Sequence, residues 1–242
     1  MVTKKKAKKK AKKKAKKKAK RDLKDIQESA LEECLRNASD KEKELRDRVL
    51  NYRSEYFGEF NISNKIWQDS IIQRKNCNQL MESGKVIVEV KDLPIGTHAN
   101  AMTKFSRNYY IEYFRIEISR YSIANNSNDW LNKTLLHEMI HTYDHQTDGL
   151  FREHLIVYLF EKLNPKFENL SEFLLKNSSL VPDEFHHNLF TLKSLDLDQR
   201  LKKPYGHIAG YYGEEDDIFC WYEFLRPVKK RADKKSKADA KR

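Results

Sequence analysis

The chain has 242 residues with a net charge of +12 and 39% apolar residues, enough for one ordinary domain plus tails. No apolar run approaches the ~20 residues that span a bilayer; the longest is Leu155–Phe160, and no apolar stretch follows the first lysines as a secretory signal would require. Cys34, Cys77 and Cys220 are far apart and odd in number, which excludes a disulfide framework and a C-x-x-C zinc ribbon, so the expected setting is reducing and intracellular.

Residues 1–21 form a low-complexity arm of 13 Lys and one Arg without an acid, built on repeated Lys-Lys-Lys-Ala. Like charges one helical turn apart repel, so the arm is expected to be disordered when free. Residues 228–242 form a second basic tail. The two arms carry +14 and +6 of the total, so the body from 22 to 227 carries −8. Basic arms on an acidic body suit polyanion binding through phosphate neutralisation. A nuclear import signal is the other use such a run can serve, so a nuclear or nucleic-acid-associated location is expected.

Residues 22–84 read as a helical region. Leu23, Ile26, Ala30, Leu31 and Leu35, then Leu45, Val49 and Leu50, recur at helical spacing. Asn37–Asp40 separates two helices, with Ser39 or Asp40 capping the second. A third helix is expected around Lys65–Met81, and Gly84 opens a strand at Val86–Val90. Asp92–Gly96 reads as a turn. Tyr110–Ile118, dense in aromatic and β-branched residues, reads as a strand buried on most of both faces.

A helix follows, with Asn128 and Asp129 as cap candidates, running to about Gln146 and stopped by Thr147-Asp148-Gly149. Leu131, Leu135, Leu136, Met139, Ile140 and Tyr143 give it a broad apolar stripe. It contains His137-Glu138-Met139-Ile140-His141, which is H-E-x-x-H. Residues four apart share a helix face, so the two imidazoles can reach one Zn²⁺ together, and Glu138 lies where it can take a proton from water activated there. The chemistry implied is metal-assisted hydrolysis, most often of a peptide bond. Further helices are expected at Phe151–Leu163, ended by Pro165, at Leu170–Leu175, and at Phe190–Leu201, with a loop at Ser178–Glu184. The aromatic stretch from Tyr205 to Phe224 reads as core.

Zinc needs a third protein ligand. His145 is excluded by geometry, because eight residues of straight helix place it about 12 Å from His137. His154 is the first choice, since the Asp148-Gly149 turn reverses the chain and puts it early in the returning helix. His186, His187, His207 and the acidic run Glu214-Glu215-Asp216-Asp217 stay open as alternatives.

Thr134-Leu135-Leu136-His137-Glu138-Met139-Ile140-His141, with Tyr143 two places on, resembles the SprT/Spartan-like metalloprotease family over roughly residues 85–165. The resemblance implies an α+β, zincin-like domain over residues 85–227, with a small sheet packed on the H-E-x-x-H helix. It implies Zn²⁺ held by His137, His141 and a downstream His, with Glu138 as general base. In that family the downstream His is usually followed by Gly, with an aromatic four places on. His154 has Tyr158 and His186 has Phe190, but neither has the Gly. Spartan-type members cleave proteins bound or crosslinked to DNA, so a protein substrate and nucleic acid are the implied partners, without a membrane. A weaker resemblance to lethal-factor-like zincins would give Glu215, Asp216 or Asp217 the third-ligand role. The rival reading is a nucleic-acid-binding protein with a closed, structural zinc site.

Overall fold

The computed structural model describes residues 13, 32–33, 35–60, 86–105, 112–146, 149–180, 188–210 and 225–228. The helix expected at Lys65–Met81, the Gly84 strand opening, the Thr147-Asp148 stop and the aromatic stretch from Tyr211 to Phe224 lie outside them. The chain divides into two compact units, Met1–Gln146 and Thr147–Arg242.

In the first unit, helix α1 (Asp40–Tyr56) begins at Ser39, whose side chain accepts the Glu42 N–H, while the Glu42 carboxylate accepts the Ser39 N–H at 2.7 Å. This is the expected Ser39 cap, reinforced by a reciprocal capping box. Leu45 and Val49 bury the inner face, and a 3-10 turn, Gly58–Phe60, follows.

Three strands come next: β1 (Val86–Lys91), β2 (Ala99–Phe105) and β3 (Glu112–Ser119). Their order is β1-β3-β2, with β1 parallel and β2 antiparallel to the central β3. The β1–β2 connection turns at Pro94–Thr97, where Gly96 has φ +89° and the Thr97 N–H donates to the Pro94 carbonyl. That positive φ favours glycine. Register places Val86, Val88, Ile116, Ile118 and Ala99 on one face, all buried. The other face carries an ion-pair lattice in which Lys91 bridges Glu89 (2.7 Å) and Glu117, with Arg115 3.6 Å from Glu89. Ile116, Glu117, Ile118 and Ser119 are all buried, as expected of a strand covered on both faces.

The outer edge of β1 is sealed by α1. The Val90 N–H donates to Glu42 Oε1 at 2.8 Å, and Arg46 Nε donates to the Val86 carbonyl at 2.9 Å. Side chains one turn apart thus satisfy the groups an edge strand leaves open. A short helix α2 (Arg120–Asn125), capped by Ser119, leads into α3 (Asn128–Gln146), which packs on β2, β3 and α1. The fold is α+β around a small three-stranded sheet.

The second unit is helical among the described residues: α4 (Gly149–Leu163), a 3-10 turn (Asn164–Lys166), α5 (Leu170–Leu180) and α6 (Asn188–Arg200). α4 and α5 both pack on α6, whose residues Leu189–Asp198 are all buried. The chain then folds back on Asp198, whose carboxylate accepts the N–H groups of Gly206 (2.7 Å) and Ile208 (2.9 Å). Among the described residues no helix is long and apolar enough to cross a membrane.

Four expectations need correction. Strand β2 was not foreseen, because Ala-Asn-Ala-Met-Thr-Lys-Phe lacks β-branched density; its place is fixed by pairing with β3. Helix α2 was hidden between strand and helix. α5 continues through Ser178 to Leu180, where a loop was expected from Ser178. The cap of α3 is Ser127 rather than Asn128 or Asp129: its Oγ accepts the Trp130 N–H at 3.2 Å and its carbonyl accepts the Leu131 N–H.

Candidate metal centre

Helix α3 carries the site. Leu131, Leu135, Leu136, Met139, Ile140 and Tyr143, the stripe read from sequence, are all buried. So are Lys133, Thr134, Thr142 and Asp144, so the helix is enclosed well beyond one face. Such enclosure sets its rotation about its own axis, which decides where its imidazoles point.

Both ends of the helix are held. At its start, Trp130 meets the His98 ring edge-on at 5.7 Å, and His98 Nδ1 lies 2.9 Å from Ser122 Oγ. Arg48 of α1 donates to Asn132 Oδ1 at 2.9 Å. Near its end, Tyr143 stacks on Phe57, with centroids 4.7 Å apart and planes inclined by 15°, and meets Phe60 at 5.1 Å. Aromatic pairs of this kind add about 0.5–1.5 kcal/mol beyond the area they bury. Burial pushes the Tyr143 hydroxyl well above the ordinary phenol range, with Arg53 opposing the shift and Glu59 adding to it.

Between these anchors, His137 Nε2 and His141 Nε2 lie 3.1 Å apart, with the rings tilted by 66°. Two nitrogens each ~2.0–2.1 Å from one tetrahedral ion would sit about 3.3 Å apart. The 3.1 Å spacing therefore suits two ligands of one zinc ion, and equally a hydrogen bond between the two rings. His137 is 1% exposed and His141 half-buried, so the pair opens on the His141 side. Glu138 is 2% exposed. Its backbone carbonyl accepts the Thr142 hydroxyl at 2.8 Å.

His154 is half-buried on α4 of the second unit, and His207 is half-buried in the turn after α6. His186, His187, Glu214, Glu215, Asp216 and Asp217 lie outside the described residues. Among the described residues, no group of three or more His, Cys, Asp or Glu side chains gathers around one point. Sequence reasoning missed the parts that hold the site helix: Phe57, Phe60, His98 and Ser127. Only Ser127 carried a legible signal, a capping side chain just ahead of the helical pattern.

The family described as SprT-like matches residues 68–156 of the chain. No curated protein and no solved structure matches it.

Proposed function

We propose that this chain, whose residues 68–156 match the SprT-like family, is a zinc-dependent metallopeptidase acting on proteins bound or crosslinked to DNA. The observation that carries the reading is the 3.1 Å approach of the His137 and His141 Nε2 atoms on the helix that also bears Glu138. Of the candidates for a third ligand, the sequence puts His154 first. It lies inside the matched stretch, whereas His186, His187, His207, Asp216 and Asp217 lie beyond it. When bound, zinc supplies Lewis acidity toward water and a scissile carbonyl.

The chain's own residues do the rest. His137 and His141 hold the metal on one helix face. Glu138 takes a proton from the attacking water and delivers it to the leaving amine. The enclosure of α3 keeps the two imidazoles from reorienting, which preserves the ligand geometry through the cycle. The basic arms engage nucleic acid by neutralising phosphates and bring the site to protein substrates that sit there.

Elemental analysis of the purified chain tests the proposal. One zinc per chain in the wild type, lost in His137→Ala and His141→Ala, is the expected result. A wild type that takes up no zinc after reconstitution would sink it.

A further inference from the structure

We infer that the second unit carries a nucleic-acid-backbone surface of its own, built from Lys162, Lys166, Arg200, Lys202, Lys203 and Arg226, from which the C-terminal basic tail emerges. The inference rests on the reading that the basic arms engage nucleic acid, and it adds where on the folded chain the phosphates lie.

These six cations come from four segments that the fold ties together. Lys162, near the end of α4, lies 2.7 Å from Asp196 Oδ1, and Arg200 lies 3.9 Å from Asp196 Oδ2. The Lys166 ammonium, in the 3-10 turn after α4, donates to Gln199 Oε1 on α6. Lys202 and Lys203 follow directly, their N–H groups bonded back to the Gln199 and Asp198 carbonyls. Arg226 joins from the chain's last described segment. Its carbonyl accepts the Glu168 N–H at 2.8 Å, its own N–H donates to Asn169 Oδ1 at 2.9 Å, Pro227 bridges Phe167, and the Val228 N–H donates to the Lys166 carbonyl at 2.8 Å. The tail continues from there with Lys229, Lys230 and Arg231.

Among the described residues, the buried acids beneath this surface are already engaged. Asp196 is fully buried and shared among Lys162, Lys193 and Arg200. Asp198 is fully buried and occupied with the backbone N–H groups of Gly206 and Ile208. Glu168 is exposed beside Arg226, and Glu172 pairs with Lys176 while also feeling Arg226. The blander account is that cations at helix ends offset the helix dipoles. It covers Lys162 and Arg200. It does not cover Arg226, which sits on an extended segment, or the run of basic residues beyond it. Lys202 and Arg226 are exposed, and Lys162 and Arg200 keep about a third of their side chains open. A patch of separated cations, with the exposed carboxylates of Glu168 and Glu172 at its edge, matches the spaced negative charges of a phosphodiester backbone, so binding should depend little on sequence.

The test is duplex binding by the full chain, measured by fluorescence anisotropy on a labelled DNA duplex over a series of salt concentrations. The variant is K202N/K203Q/R226Q, with Asn at 202 because that residue has φ +55°. Lys43→Gln, in the first unit, is the control. The expected result is a log–log salt slope shallower by about 2–3 in the triple variant and unchanged in the control, since each lost phosphate contact removes about 0.9. Wild-type binding with an unchanged slope in the triple variant would overturn the patch and leave arm binding standing. No duplex binding by the wild type at low salt would overturn both. Weakening of binding to phosphatidylserine vesicles by the same variant, with duplex binding intact, would reassign the surface to membranes and overturn the inference.

Discussion

Phe57 lies flat against Tyr143, 4.7 Å between centroids, so the helix that bears His137 and His141 is clamped by a ring from the end of α1. Phe57 is 2% exposed and Tyr143 1%. Replacing Phe57 with Ala opens a cavity beside the last turns of α3 and should cost about 3 kcal/mol of stability or more. Because Tyr143 is two residues past His141, the same change should weaken zinc binding as well. Thermal melts of apo and zinc-loaded protein check this: the stabilisation by zinc should shrink in Phe57→Ala and be retained in Phe57→Tyr.

Glu138 decides between a catalytic and a structural zinc site. Glu138→Gln keeps the shape and removes the proton acceptor. The expected outcome is one zinc per chain with proteolysis reduced by at least the ~10²-fold typical of general-base loss. Cleavage that persists in a metal-loaded Glu138→Gln chain would remove Glu138 from the mechanism.

His154 is the proposed third ligand. His154→Ala should lose zinc while its circular dichroism spectrum stays that of apo wild type. His186→Ala, His187→Ala, His207→Ala, Asp216→Ala and Asp217→Ala should keep zinc. Loss on replacing Asp216 or Asp217 instead would favour the lethal-factor-like arrangement.

What the sequence makes legible follows from how local the determinant is. The cap at Ser39, one of two candidates, the turn at Gly96 and the apolar stripe of α3 are written in neighbouring residues, and each appears where it was expected. So is the pairing of His137 with His141, since four residues of helix fix it. Strand β2 is different: its seven residues have weak strand preference and take their conformation from β3. The contact of Phe57 with Tyr143 joins residues 86 positions apart, and that of Arg46 with Val86 joins residues 40 apart. No periodicity encodes either. Spacing left several candidates for a third ligand because no local pattern around His137 and His141 selects one.

Glu42 has two tasks, capping α1 at Ser39 and accepting the Val90 N–H at the sheet edge. Partial burial raises its carboxyl pKa, but the bonds from Val90 and Ser39 and the nearby Arg120 outweigh that and hold it below the usual carboxylate value. Glu42→Ala removes both acceptors and should cost about 1–3 kcal/mol. Glu42→Gln keeps an acceptor oxygen and should cost less. Urea denaturation of the three proteins ranks them, and equal midpoints would show that the β1 edge does not depend on α1.

Asp196 should give the second unit an acid-sensitive core. It is fully buried on α6, with Lys162 Nζ at 2.7 Å, Lys193 Nζ at 3.4 Å and Arg200 at 3.9 Å. Burial pushes its carboxyl pKa up. Lys193, Lys162 and Arg200 together outweigh burial and hold it below the ordinary carboxylate value. A carboxylate whose pKa is depressed by folding adds stability that is fully present above its unfolded-state pKa of about 3.9 and is lost as pH falls through the folded value. Asp196→Asn removes that charge from beside Lys162, Lys193 and Arg200, so at neutral pH it should destabilise by up to about 3–5 kcal/mol. As pH falls below about 4 the carboxyl of the unfolded chain takes up its proton first, so the gap between the two proteins should narrow steadily toward the depressed folded value. Melting curves of both proteins from pH 7 to pH 3 measure it. A gap that stays constant through that range would mean Asp196 acts by packing rather than by charge.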